Sequence, residues 1–286
     1  AHPARCRLVC RPARCFGRHH VHRPGTDAAC DAQRPCGASG PVLGCNGNGS
    51  NWFKSYGFHS LHGRALPAAM GIKLAHHDLP VFVFAGDGGA LGEGGNHFLH
   101  ACRSNLDIVY VIHDNQLYSL TTGQTSPTTE VGVVTRSAPQ GAAEMPLRPL
   151  QLAISAGATF VARSYADDMA GLTQLLIDGI KHRGMAVIDV LQPCTTFNLH
   201  NTRDWYKEHT YELKAEHHDT SDRAKSLVLA GESTAVAGQG NGKIPLGLLY
   251  REDRRTYADE LPQLAGKPLA ELVTPRDVTP LLEEFR

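Results

Sequence analysis

Apolar residues fall along the chain in short unbroken runs, Val81 to Ala85, Ile108 to Ile112 and Ala186 to Leu191, with a further run from Thr159 to Arg163. Runs of this length predict strands covered on both faces, the pattern of a parallel sheet. Between them lie segments with helical character: Ala65 to His76, with Pro67 in its first turn, Asn96 to Ser104, residues 150–156, and Asp168 to Lys181. In the second of these, Phe98, Leu99 and Cys102 share one face. Strand alternating with helix predicts an α/β fold built on a mostly parallel sheet. Residues 121–149 break the rhythm as a long polar loop whose most distinctive part reads Thr-Gly-Gln-Thr-Ser-Pro-Thr-Thr, and long loops in compact domains usually serve function. Beyond residue 200 come Trp205 and Tyr206, a charged helical stretch near 221–230, a glycine-rich patch at 237–242, and from Ile244 a small strand followed by amphipathic helices.

The polar residues that end two of the strands carry the candidate chemistry. Strand 81–85 runs into Gly86-Asp87-Gly88-Gly89 and strand 108–112 into Asp114-Asn115-Gln116. A strand, a helical crossover and a parallel strand bring their carboxyl ends side by side, where open α/β sheets bind ligands. Asp87 and Asn115, 28 positions apart, therefore meet at one rim. Magnesium demands hard oxygen ligands and is commonly shared with phosphates. The Asp87 carboxylate, the Asn115 amide oxygen and the Leu117 carbonyl supply three, and a diphosphate and a water would complete the set. Gly44 to Ser50 form a second glycine-rich loop, suited to close backbone approach of a ligand, and His59 and His62 precede the first helix nearby.

Composition removes several function classes. Lysine plus arginine equal aspartate plus glutamate at 28 each, so no electrostatic footprint for nucleic acid or an anionic membrane exists. No apolar run approaches the roughly 20 residues of a membrane span. Five of the eight cysteines, Cys6, Cys10, Cys15, Cys30 and Cys36, crowd into the start of the chain, which contains no secretory signal. Reduced thiols and a cytoplasmic location are expected. Residues 1–40 are rich in Arg, Pro, Cys and His, lack Lys, Glu and Ile, and show no periodicity. A zinc site there is opposed by the Cys6, Cys10, Cys15 spacing; a transit peptide and a disordered or mistranslated start are the other readings.

The motifs Gly-Cys-Asn-Gly, YGFHSLHGRALP, GDGGALGEGGNHFLHACRSN, DNQLYSLTTGQTSPTT, AGATFVARSY, QPCTTFN and KIPLGLLY occur in this order from about residue 43 to 260. Together they resemble the beta subunit of 2-oxoacid:ferredoxin oxidoreductases, the half of those enzymes that binds thiamine diphosphate. The resemblance implies a three-layer α/β fold of the thiamine diphosphate-binding type over residues 41–200, with a small C-terminal extension over 201–286. It implies that Asp87, Asn115 and Leu117 hold magnesium, and that Leu43, Gly44, Cys45, Asn46, His62, Gly88, Gly89, Ser119 and Leu120 contact the cofactor, with His62 the catalytic candidate. Cys45 and Cys194 correspond to ligands of a [4Fe–4S] cluster, which needs four thiolates. The family's usual Trp-Cys-Pro-Gly-Cys-Gly segment is missing, and Cys10 and Cys15 are candidates for the remaining pair. Gly89 replaces an aspartate common in relatives. The implied reaction is oxidative decarboxylation of a 2-oxo acid to acyl-coenzyme A with electrons passed to ferredoxin, in company with an alpha (or alpha and gamma) subunit. The glutamate that activates the cofactor's ring comes from that other subunit, and no pattern supports Glu93 in its place. The alternatives are a non-oxidative thiamine diphosphate-dependent decarboxylase subunit and a non-catalytic metal-binding subunit.

Overall fold

A computed structural model describes residues 38–41, 57–232, 243–265, 268–272 and 279–284. The expectations attached to residues 1–37 and 42–56, including Cys10, Cys15, Leu43, Gly44, Cys45 and Asn46, lie outside the described residues. Described strands and helices run in the order β1 (Ala38–Pro41), α1 (Ala65–Ala75), β2 (Val81–Gly86), α2 (Gly95–Ser104), β3 (Ile108–Asp114), β4 (Leu117–Tyr118), β5 (Gln124–Thr125), α3 (Pro149–Ala156), β6 (Phe160–Tyr165), α4 (Met169–Lys181), β7 (Met185–Leu191), α5 (Arg203–His209), β8 (Thr210–Glu212), α6 (Arg223–Gly231), β9 (Ile244–Arg251), α7 (Leu269–Leu272) and α8 (Thr279–Glu283). Three of the apolar runs seen in the sequence are strands extended by a residue or two, and the run from Thr159 to Arg163 is the strand Phe160–Tyr165.

Seven strands form one sheet in the order β1-β2-β3-β7-β6-β9-β8. Every pairing is parallel except β6 with β9, where the register shifts at Val161/Ala162. The layers follow from strand alternation. Ile108, Tyr110 and Ile112 of β3 point into a core with Leu66 of α1, Phe98 of α2, Ile154 of α3 and Leu229 of α6. Val109 and Val111 point the other way, onto Leu172, Leu175 and Leu176 of α4. Helices on both faces are what an unbroken apolar strand requires. Cys102, on α2, is fully buried in the first core and serves as a small apolar residue.

The C-terminal segment also contributes to the sheet. β8 and β9 join the main sheet beyond β6, and Leu249 and Tyr250 contribute to its core. Among the described residues no helix is long and apolar enough to cross a membrane.

Candidate active site at the carboxyl rim of the sheet

β2 and β3 lie side by side with Gly86 paired to His113, so Asp87 and Asp114 follow at adjacent rim positions. Directly after Asp87 the chain makes a π-helical turn, Gly88–Glu93, before α2 begins. Such turns are uncommon and gather at functional sites. After β3 two side chains fold back on their own backbone: the amide of Gln116 donates to Oδ1 of Asp114 and that of Leu117 to Oδ1 of Asn115, both at 3.1 Å. Gln116 takes φ 60° in this double turn, a left-handed conformation unusual outside glycine. Asn198, in the turn after β7, donates to the Asn115 carbonyl at 3.1 Å.

Asp87 is 1% exposed. Its Oδ2 accepts from the hydroxyls of Ser126 (2.5 Å) and Thr128 (2.7 Å), both from the long polar loop. Burial nevertheless raises its pKa to about 6, with those hydroxyls opposing. Thr128 has one proton to give, yet its oxygen also stands 2.9 Å from Oδ1 of Asp114, so two carboxyls compete for it. Asp114 is pushed well up by burial and by the charges of Asp189 and Asp87. On the same face, Asp189 of β7 lies opposite Ile112 and Arg163, and Nε of Arg163 donates to its Oδ2 at 3.2 Å. Burial raises Asp189, and the guanidinium holds it back. Three buried carboxyls thus lie along this rim, and the buried guanidinium of Arg163 pairs with Asp189.

In front of this buried row is a cavity of about 430 Å³. Its walls include His62, Asp87, Gly88, Gly89, Leu117, Ser119 and Leu120, all singled out in the sequence. Asn115 lies behind Leu117, 3% exposed, and reaches the wall through their shared hydrogen bond. Gly88 faces the ring of Tyr118 so closely that a Cβ there would overlap the ring carbons. Cys194 sits outside the cavity, after β7, as a free thiol. Burial alone would raise its pKa, but the Ser119 hydroxyl and the backbone amides of Phe197, Thr196 and Asn198 bring it below its ordinary value. Arg64 donates to the carbonyls of Gly63 and Glu93.

Ser126, Thr128, Asp189, Arg163 and the cavity faces of Tyr118 and Glu93 were not assigned from sequence. Only the loop residues left a signal there, in the Thr-Ser-Pro-Thr-Thr run. Asp189 and Arg163 read as interruptions in apolar strands and acquire meaning only when register places them together.

A parallel sheet with a glycine-lined cavity and buried aspartates at its carboxyl rim is a ligand site of the open α/β kind, and residues 40–190 match the family described as "Thiamine pyrophosphate enzyme, C-terminal TPP binding domain" (the diphosphate under its other name). Residues 194–266 match a second family, the C-terminal part of the pyruvate ferredoxin oxidoreductase beta chain. A 2-oxoacid:ferredoxin oxidoreductase beta subunit of Sulfolobus is 48% identical over 173 residues, 60% of this chain and 57% of that one. One from Aeropyrum pernix is 36% identical over 256 residues, 85% of this chain and 80% of the relative. A solved 2-oxoglutarate:ferredoxin oxidoreductase from Magnetococcus marinus, with 2-oxoglutarate, coenzyme A and succinyl-CoA bound, superposes with a TM-score of 0.76 at 32% identity, covering 88% of this chain and 83% of that one. The chain belongs to the beta subunits of the 2-oxoacid:ferredoxin oxidoreductases. It spans 57% of the length of the Sulfolobus and Saccharolobus solfataricus relatives it matches.

Proposed function

We propose that this chain forms the magnesium–thiamine diphosphate half of an active site that oxidatively decarboxylates a 2-oxo acid to its acyl-coenzyme A, passing the electrons to ferredoxin. The observation that carries the reading is the charge of the rim. Asp87, Asp114 and Asp189 outnumber Arg163, so with all four ionised two negative charges are buried without compensation. Burying charge without a partner is costly, and a divalent cation supplies the missing two positive charges. The donors are hard oxygens, as magnesium prefers. Asp87, Asn115 and the Leu117 carbonyl hold the metal, and the cation removes the competition for the Thr128 proton.

Gly88 and Gly89 leave room for a diphosphate against the backbone, while His62, Ser119 and Leu120 line the wall, and Leu43, Gly44, Cys45 and Asn46 are the further cofactor contacts that the sequence resemblance implies. When bound, thiamine diphosphate supplies the nucleophilic carbon that cleaves the carboxyl group from a 2-oxo acid. The chain's own residues bind, orient and neutralise. The thiol of Cys194, poised toward thiolate by Ser119 and three amides, suits a [4Fe–4S] ligand together with Cys45, with Cys10 and Cys15 the candidates for the other two. That poise favours the oxidoreductase over a non-oxidative decarboxylase, which needs no such thiol. The partners are the alpha subunit, ferredoxin and coenzyme A; residues 41–200 form the cofactor-binding part, residues 201–286 its extension, and the place of action is the cytoplasm.

The test is thermal unfolding of the full chain with and without magnesium and thiamine diphosphate. Ligand at about 100 times its Kd stabilises the native state by about 2.7 kcal/mol, a rise in Tm of several degrees. Asp87→Ala should abolish the rise. A folded wild type that shows none would overturn the assignment. Anaerobic purification with the partner, followed by an iron count, tests the cluster: iron-free protein would remove it.

A further inference from the structure

Glu93 ends the π-helical turn and points its side chain back across the cavity wall. Nε2 of His62 lies 2.9 Å from its Oε2, and the Tyr118 hydroxyl stands 3.3 Å from both carboxylate oxygens. The backbone is tied in the same place: Nη1 of Arg64 donates to the Glu93 carbonyl, so the turn carrying His62 is anchored to the residue its imidazole faces. Gly63, between His62 and Arg64, has φ +73°, and a Cβ on it would overlap the Cβ and carbonyl carbon of Glu93. The two segments are in contact at backbone and side chain, from residues 29 to 31 positions apart in sequence. The functional reading leaves Glu93 without a role.

A carboxylate accepts hydrogen bonds and donates none, so the proton between His62 and Glu93 sits on Nε2. This fixes both the tautomer and the plane of the ring, as outer carboxylates do for histidines that serve a site. The arrangement also deals with the carboxylate's own charge. A bare anion on the wall would repel a diphosphate, whereas this one faces an imidazole N–H and a phenol. The geometry points to Glu93 as a positioning residue that locks His62 against the cavity wall in the orientation that receives the cofactor, an inference that rests on the reading of this cavity as the thiamine diphosphate site. Tyr118, from β4, steadies Glu93 in turn.

Calorimetric titration of magnesium–thiamine diphosphate into the full chain tests this, using Glu93→Ala, Glu93→Gln, His62→Ala and the double variant Glu93→Ala/His62→Ala. Glu93→Ala should raise Kd about tenfold, the scale on which outer-shell partners act. Glu93→Gln should restore binding to within about threefold of wild type, because its amide oxygen still accepts from Nε2. In the His62→Ala background, removing Glu93 should change nothing further, the non-additivity expected of residues that act as a unit. A second readout needs no cofactor: the ¹⁵N spectrum of labelled histidine, with the His62 signal assigned by its loss in His62→Ala, should show the Nε2–H form in wild type and Glu93→Gln and a tautomer mixture in Glu93→Ala. Normal wild-type binding with an unaffected Glu93→Ala, or equal losses with and without His62, would overturn the positioning role alone. A wild type that binds no cofactor would overturn the cavity reading, and the positioning role with it.

Discussion

At Gly88 the absence of a side chain lets the Tyr118 ring pack close against the start of the π-helical turn, in the wall of the cavity. Gly88→Ala should displace that ring, cost about 1–3 kcal/mol as an overpacked site, and weaken cofactor binding more than it weakens folding. Chemical denaturation and calorimetry on the same sample separate the two effects. His182 is a different kind of residue: 3% exposed, at the far end of α4, with Nε2 2.7 Å from the Thr159 hydroxyl. Burial lowers its pKa, helped by Arg251. The native state therefore holds it neutral while the unfolded chain takes up a proton near 6.5, so its contribution is present above that pH and lost as pH falls toward the lowered value. Urea midpoints at about pH 7.5 and 5.5 should fall further for wild type than for His182→Gln. The sequence marked Gly88 through its neighbours in a strand-end motif, and was silent on His182, whose surroundings come from three distant segments.

Elements were legible where a period was long enough to be read. The buried strands and α1 to α4 were all visible as apolar runs or one-sided segments, whereas β4, β5 and β8 have two or three residues each and no period to show. The π-helical turn was equally hidden, since GGALGE has the composition of a loop and its winding is set by what it packs against. The end of α2 illustrates the same limit. Asn105 closes the helix at φ 50°, and its side chain accepts from the Met185 amide (2.9 Å) and the Thr159 hydroxyl (2.7 Å) while donating to the Arg255 carbonyl (3.2 Å). One amide thus joins a helix, strand β7, the residue that precedes β6 and the C-terminal segment. Asn105→Ala should destabilise by about 2–3 kcal/mol, because it strands the buried Met185 N–H and puts alanine, which tolerates the left-handed cap less well than asparagine, at that position. Thermal unfolding would show it as a fall in Tm with cofactor affinity little changed.

For the molecule as a whole, the site faces outward among exposed apolar side chains: Leu120 is 64% exposed, Val134 68% and Leu199 79%. If this rim meets the alpha subunit, Val134→Ser with Leu199→Ser should change stability by no more than about 0.5 kcal/mol yet weaken co-purification with that partner. Unchanged recovery of the complex would place the interface elsewhere. The antiparallel pairing of β9 with β6 bears on something else again, the inheritance of the chain. Residues 40–190 and 194–266 match two separately described families, and the seam between them runs through a hydrogen-bonded ladder of a single sheet. What matches as two families is here one sheet. A fragment stopped at Leu191 would keep every strand of the first family and bare the whole edge of β6, and such edges recruit one another.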